Sequence, residues 1–160
     1  MKTKKEIIEE FKAFVDSIPN QLDALEKLLK KDTLTFATDE IDLVQKWYKR
    51  FHRKRRLKRV GLTKEQIDLM CTAYLGTAFL WHFGGKWELE TSKSGPYGDF
   101  QIVEYGGDGY TWVAITPRNW LRSVETKQDI GLISEIFDSY ISTFEQSPEY
   151  QLKPVRTYKQ

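Results

Sequence analysis

One cysteine, Cys71, stands in 160 residues. An internal disulfide is therefore excluded, and such cysteine usage leans toward a reducing compartment. Two histidines, His52 and His82, are too few to make much of a metal site. The opening stretch MKTKKEIIEEFKAF is charged throughout and lacks the apolar run of about 7–15 residues that marks a signal peptide. The most apolar segment, Ile67 to Phe83, is interrupted by Asp68, Thr72, Thr77 and His82. It is too short and too polar to span a bilayer. No internal repeat or long linker is visible. No serine stands in a nucleophile-elbow motif, GGK lacks the spacing of a phosphate-binding loop, and GGDG is too short for a calcium loop. No cofactor, metal or membrane span is expected, and the chain reads as cytoplasmic and non-enzymatic.

Apolar residues make up 40% of the chain and aromatics 14%, which argues against disorder. The length suits one domain, 1–160, able to bury a continuous core without disulfides or metals. The net charge is +2, but its distribution is uneven. Eight of the eleven residues from Lys49 to Arg59 are Lys or Arg, and none is acidic. Taking those 8 from the 25 basic residues leaves 17, against 23 acidic ones. The protein is thus acidic with one basic block, a polarity suited to steering a charged partner.

The first half has helical spacing. Ile7, Ile8, Phe11, Phe14, Val15 and Ile18 predict an amphipathic helix from Lys4 to Ser17, stopped by Pro19. Asn20 is positioned to cap a second helix with a stripe of Leu22, Leu25, Leu28 and Leu29. Thr38 is positioned to cap a third, with Ile41, Val44, Trp47, Tyr48 and Phe51 on one side. Thr63 and Gln66 form a capping-box pattern at the head of a fourth, and apolar residues cover more than half of its circumference. That helix is expected at the centre, ending at Gly84 and Gly85.

After Gly85 the period changes to two. KWELE alternates, and FQIVEY and YTWVAIT are β-rich runs joined by GGDG. These runs predict a three-stranded antiparallel meander. Thr116–Pro117 then opens a short helix, and Asp129 to Gln146 is a last one. Grouped strands indicate α+β: four N-terminal helices, the meander, and two C-terminal helices. Residues 63–146 form the core of this scheme, and 147–160 a polar tail.

Two surfaces emerge as candidates. On a helical wheel, Lys46, Lys49, Arg50, Arg53 and Arg56 lie away from Val44, Tyr48 and Phe51. Arg55 and Lys58 would continue the apolar stripe but are charged, so burial ends near Phe51. The block Lys49, Arg50, Arg53, Lys54, Arg55, Arg56, Lys58 and Arg59 is a solvated or intramolecularly paired helix end, a nucleic-acid-binding surface, or a surface for an acidic protein or membrane. Stacking aromatics are not interleaved within it, and no known nucleic-acid-binding signature accompanies it. The second surface is the strand region, where Glu88, Glu90, Glu104 and Asp108 lie among Tyr97, Tyr105, Tyr110 and Trp112. Paired carboxylates do acid–base work only in a cleft that shifts their pKa values. Acidic groups among aromatics also make an adhesive, negative face for a protein partner. His82, between Trp81 and Phe83, reads as a structural histidine, and Cys71 as inert packing.

Tyr74, Leu75 and Gly76, then Gly84, Gly85 and Trp87, then Pro117 after the strands, resemble small bacterial α+β domains of immunity-protein type. The resemblance spans roughly Thr63 to Phe144, about half the chain. It implies a fold more than an activity, and leaves the basic block outside. With the strand surface, it leads to the expectation of a non-enzymatic protein-binding domain that masks a partner through its sheet and loop face.

Overall fold

The computed structural model describes residues 1–92, 98–106, 114–126 and 131–146. At its head, the Thr3 hydroxyl accepts from the Glu6 N–H while the Glu6 carboxylate accepts from the Thr3 N–H. This reciprocal cap starts α1, Lys4–Leu29. Pro19 lies inside it, so the expected break after Ser17 and the separate second helix are corrected to one helix of 26 residues. The physical reason is a matter of magnitudes. A proline in a helix interior costs about 3 kcal/mol. Phe14, Leu22 and Leu25 are buried on one face across that point, each contributing about 1.5–3 kcal/mol. Pro19 itself is exposed, so its ring meets solvent.

α2 is Thr38–Phe51, α3 Lys54–Val60 and α4 Lys64–Phe83. Thr38 does not cap α2; Ala37 holds that position without a side-chain bond. The start is fixed by Glu40, whose buried carboxylate accepts the N–H groups of Thr35 at 3.0 Å and Phe36 at 2.9 Å. α4 has the expected cap: Gln66 N–H donates to the Thr63 hydroxyl at 3.1 Å, and Thr63 N–H to the Gln66 side chain at 2.9 Å. It is buried nearly all round, through Ile67, Met70, Cys71, Tyr74, Leu75, Ala78 and Phe79. α1 packs along it on one side and α5 (Pro117–Glu125) on another, while α6 (Ile133–Glu145) packs on α2.

The sheet differs from expectation. β1 (Lys86–Leu89) and β2 (Phe100–Val103) form a two-stranded antiparallel ribbon, with Trp87 opposite Ile102 and Leu89 opposite Phe100. Of the expected third strand, YTWVAIT, residues 110–113 lie outside the described residues, and the described part makes one bridge, between Ile102 and Ile115. Two causes are local. Glu104 adopts φ 57° and turns the chain out of β2 before Tyr105. Thr116–Pro117 starts α5 directly after Ile115, and proline has no N–H for a ladder. The described residues are therefore mostly helical, with six helices beside a short ribbon. The expected tail, 147–160, lies outside them. Phe14 closes the ribbon's apolar face, its ring 5.1 Å from Trp87 and 4.9 Å from Phe100.

Candidate nucleic-acid interface

The basic block is a bent pair of helices. α2 ends at Phe51, and His52 closes its last turn by donating its N–H to the Tyr48 carbonyl at 2.9 Å. Arg53 is extended, and its carbonyl accepts from Arg56 at 2.9 Å and Leu57 at 3.2 Å to start α3. Five of the seven α3 residues, KRRLKRV, are cationic. Such a sequence has no reason to form a helix alone, since like charges three and four residues apart repel. Leu57, 8% exposed, docks it on the core, and Gly61 at φ 68° terminates it. The chain thus leaves the helix at the extended Arg53, and α3 packs against α2.

Seven of the eight cations, Lys49, Arg50, Arg53, Lys54, Arg55, Lys58 and Arg59, are exposed; Arg56 is half-buried. Among the described residues, the ion pairs join Lys2 to Glu10, Lys5 to Glu9, Lys31 to Glu40, Lys64 to Asp68 and Glu125, Lys86 to Glu104, and Arg122 to Asp99. None involves the block. Among the described residues, no carboxylate is paired with it. Arg50 lies over the Phe51 ring, 5.3 Å from its centroid, a cation–π contact that leaves its charge facing outward.

Behind the elbow lies a polar cluster. The Tyr48 hydroxyl donates to Asp68 at 2.7 Å and contacts Glu125, while Lys64 donates to Asp68 at 2.7 Å and contacts Glu125 as well. Burial alone would lower the Lys64 pKa, but the bonds to Asp68 and Glu125 outweigh it and raise the value. Burial, reinforced by the two carboxylates, pushes the Tyr48 phenol far up, so it stays a neutral donor. His52 stacks on Tyr48 with ring centroids 5.5 Å apart. Its Nδ1 lies 3.0 Å from the Tyr48 carbonyl, so that nitrogen carries the proton. The cluster ties α2, α4 and α5 together and anchors the elbow's inner side.

The strand surface is less coherent than its sequence suggests. Tyr105 is 2% exposed and meets Phe79 edge-on at 4.9 Å, so it is a core residue and not a surface anchor. Glu104 is paired with Lys86 at 3.2 Å. Glu90 is half-buried and accepts from the Ser92 N–H at 2.6 Å, and the bonds from Ser92 hold its carboxyl below the usual range. Glu88 is exposed, and its carboxylate is unpaired among the described residues. Tyr97, Asp108, Tyr110 and Trp112 lie outside the described residues.

The remaining chemical candidates have structural employment. His82 Nε2 is 2.7 Å from the Phe36 carbonyl and steadies that left-handed residue, φ 57°. Cys71 is fully buried, and burial pushes its thiol up, away from the reactive thiolate. A groove of about 710 Å³ between α1 and α4 has Phe14, Leu69 and Phe100 among its apolar lining. Its charged lining is largely self-neutralised by the Lys2–Glu10 and Lys64–Asp68 pairs. Among the described residues, no group of three or more His, Cys, Asp and Glu could hold a metal ion. None of the described helices is long and apolar enough to cross a membrane.

No protein-family model, curated protein or solved structure matches this chain.

One feature of the interface escapes the helical wheel. Trp47 and Phe51 read from sequence as inward-facing, with Tyr48. In the fold Tyr48 is fully buried, but Trp47 and Phe51 are only half-buried, with rings 4.9 Å apart beside Arg50. Trp47 stands just before the block, and Phe51 stands within it, beside Arg50. The available signal was their four-residue spacing, continued back to Leu43.

Proposed function

We propose that this protein binds the phosphate backbone of nucleic acid through the α2–α3 elbow, Lys49–Arg59. The observation that carries this reading is the row of exposed cations that, among the described residues, have no carboxylate partner, in a protein that is otherwise acidic. A solvated helix end needs no such concentration. Holding like charges together opposes folding, and phosphates relieve that repulsion while releasing condensed counterions. Arginine and lysine here act by charge and hydrogen bonding to phosphate oxygens, which positions a ligand without reading its sequence. The role is one of binding, not catalysis, and a cytoplasmic setting suits it.

The test is fluorescence anisotropy of labelled oligonucleotides at low and near-physiological salt. A variant with Arg53, Arg55 and Arg59 changed to Gln is measured in parallel. The reading expects binding that survives moderate salt in the native protein and is largely lost in the variant. Tighter binding to anionic vesicles or to an acidic protein than to nucleic acid overturns it.

A second reading, a protein-masking role of immunity type, is supported by the exposed, unpaired carboxylate of Glu88 on the ribbon. It requires that a Glu88→Lys substitution abolish capture of a basic protein partner while leaving nucleic-acid binding intact. Capture that persists in that variant removes the reading.

A further inference from the structure

From the aromatic margin of α2, we infer that the preferred ligand is single-stranded nucleic acid, with unpaired bases stacking on Trp47 and Phe51. This rests on the phosphate-binding reading and adds the strand state to it. Leu43, Trp47 and Phe51 follow one another at four-residue intervals, so they form one stripe along α2. The buried face of the same helix is made by Ile41, Val44, Gln45 and Tyr48. The stripe runs along the border of that face, and its apolar surface remains partly open: Leu43 is 42% exposed, and Trp47 and Phe51 are half-buried. On its outer side stand exposed Lys46 and Arg50, and the last residue of the stripe, Phe51, lies within the elbow.

The combination of chemistries selects the ligand. A purely electrostatic surface does not distinguish duplex from single strand by its bases. A half-open aromatic pair bordered by exposed cations does, because a base presents its π-face only when it is unpaired and unstacked. The Trp47 and Phe51 planes are inclined by 31°, with Arg50 beside Phe51. They give one base an aromatic face and its phosphate a guanidinium within the same helical turn. An acidic protein would match the charges but leave the indole without a specific partner.

The experiment compares a labelled single-stranded oligonucleotide with a duplex of equal length, at one near-physiological salt concentration. Native protein is measured beside Trp47→Leu and Phe51→Leu, with circular dichroism to establish that each variant is folded. Leucine keeps most of the contact with the core and removes the π-face. The expected result is tighter binding of the single strand, weakened about 5-fold or more by Trp47→Leu while duplex binding is unchanged. Equal affinity for both ligands, or equal losses for both on substitution, overturns the single-strand inference and leaves phosphate binding standing. Failure of both ligands to bind removes the phosphate reading and this inference with it.

Discussion

Trp87 of β1 rests on Gly76 of α4 so closely that a Cβ at position 76 would lie 1.9 Å from the indole. The glycine is therefore a seat for the tryptophan, and it fixes the distance between the central helix and the ribbon. Gly76→Ala should lower stability by about 1–3 kcal/mol, despite alanine's better helix propensity. Urea denaturation measures it. Recovery of much of the loss in Gly76→Ala/Trp87→Leu relative to Trp87→Leu would locate the cost in this contact; an unchanged midpoint for Gly76→Ala would deny it.

Glu40 links acid sensitivity to the α1–α2 connection. Its carboxylate is buried and accepts from Lys31, Thr35, Phe36 and Tyr74. Burial alone would raise its pKa, but these bonds outweigh burial and hold it below the usual carboxylate value. A folded-state pKa below the unfolded one gives stability that is complete above the unfolded value, about 4.3. That stability is lost as pH falls from there through the folded value. Glu40→Gln should therefore cost about 2–4 kcal/mol near neutrality, where an amide NH2 group now faces N–H donors. It should also flatten the decline of stability below pH ~4. Denaturation midpoints across that range show both effects.

Pro19 is exposed in the middle of a continuous α1, and its ring withholds the N–H that the Val15 carbonyl would accept. Pro19→Ala should raise stability by about 1–3 kcal/mol. A loss on this substitution would mean that the proline directs a bend on which packing depends. Thermal denaturation distinguishes the outcomes.

These sites also show what was legible in the sequence. Thr63, Gln66 and the all-round apolar pattern after them placed α4 and its centrality, because a cap and a hydrophobic stripe are local signals. Pro19 was misleading because its penalty is local, whereas the compensating burial of Leu22 and Leu25 comes from α4 and the rest of the core. α3 was not legible: KRRLKRV has one apolar anchor, Leu57, whose docking depends on the folded neighbours. Of the expected third strand, the described residues keep only the Ile115 bridge, because the β-propensity of the run does not reveal that Thr116–Pro117 opens a helix there. Tyr105 sits two residues after the end of β2, and the left-handed turn at Glu104 carries it into the core. The Tyr48–Lys64–Asp68–Glu125 cluster had one local trace, the four-residue spacing of Lys64 and Asp68. Its other members meet only through the packing of α2, α4 and α5.

The basic block was legible as composition; its break at Arg53 and its lack of ion pairs among the described residues were not. Periodicity assigned Trp47 and Phe51 to the apolar side of α2 without distinguishing the middle of that side from its edge. The distinction decides whether the pair is only core or also a platform beside Arg50.

The central claim is best tested by the salt dependence of oligonucleotide affinity, plotted as log K against log salt concentration. Six phosphate contacts at the elbow predict a slope of about −4 for a single strand or −5 for a duplex. Changing Arg53, Arg55 and Arg59 to Gln should make it shallower by about 2 to 3. A slope shallower than about −1, or a steep slope indifferent to the three substitutions, would contradict the assignment of the elbow as the nucleic-acid interface.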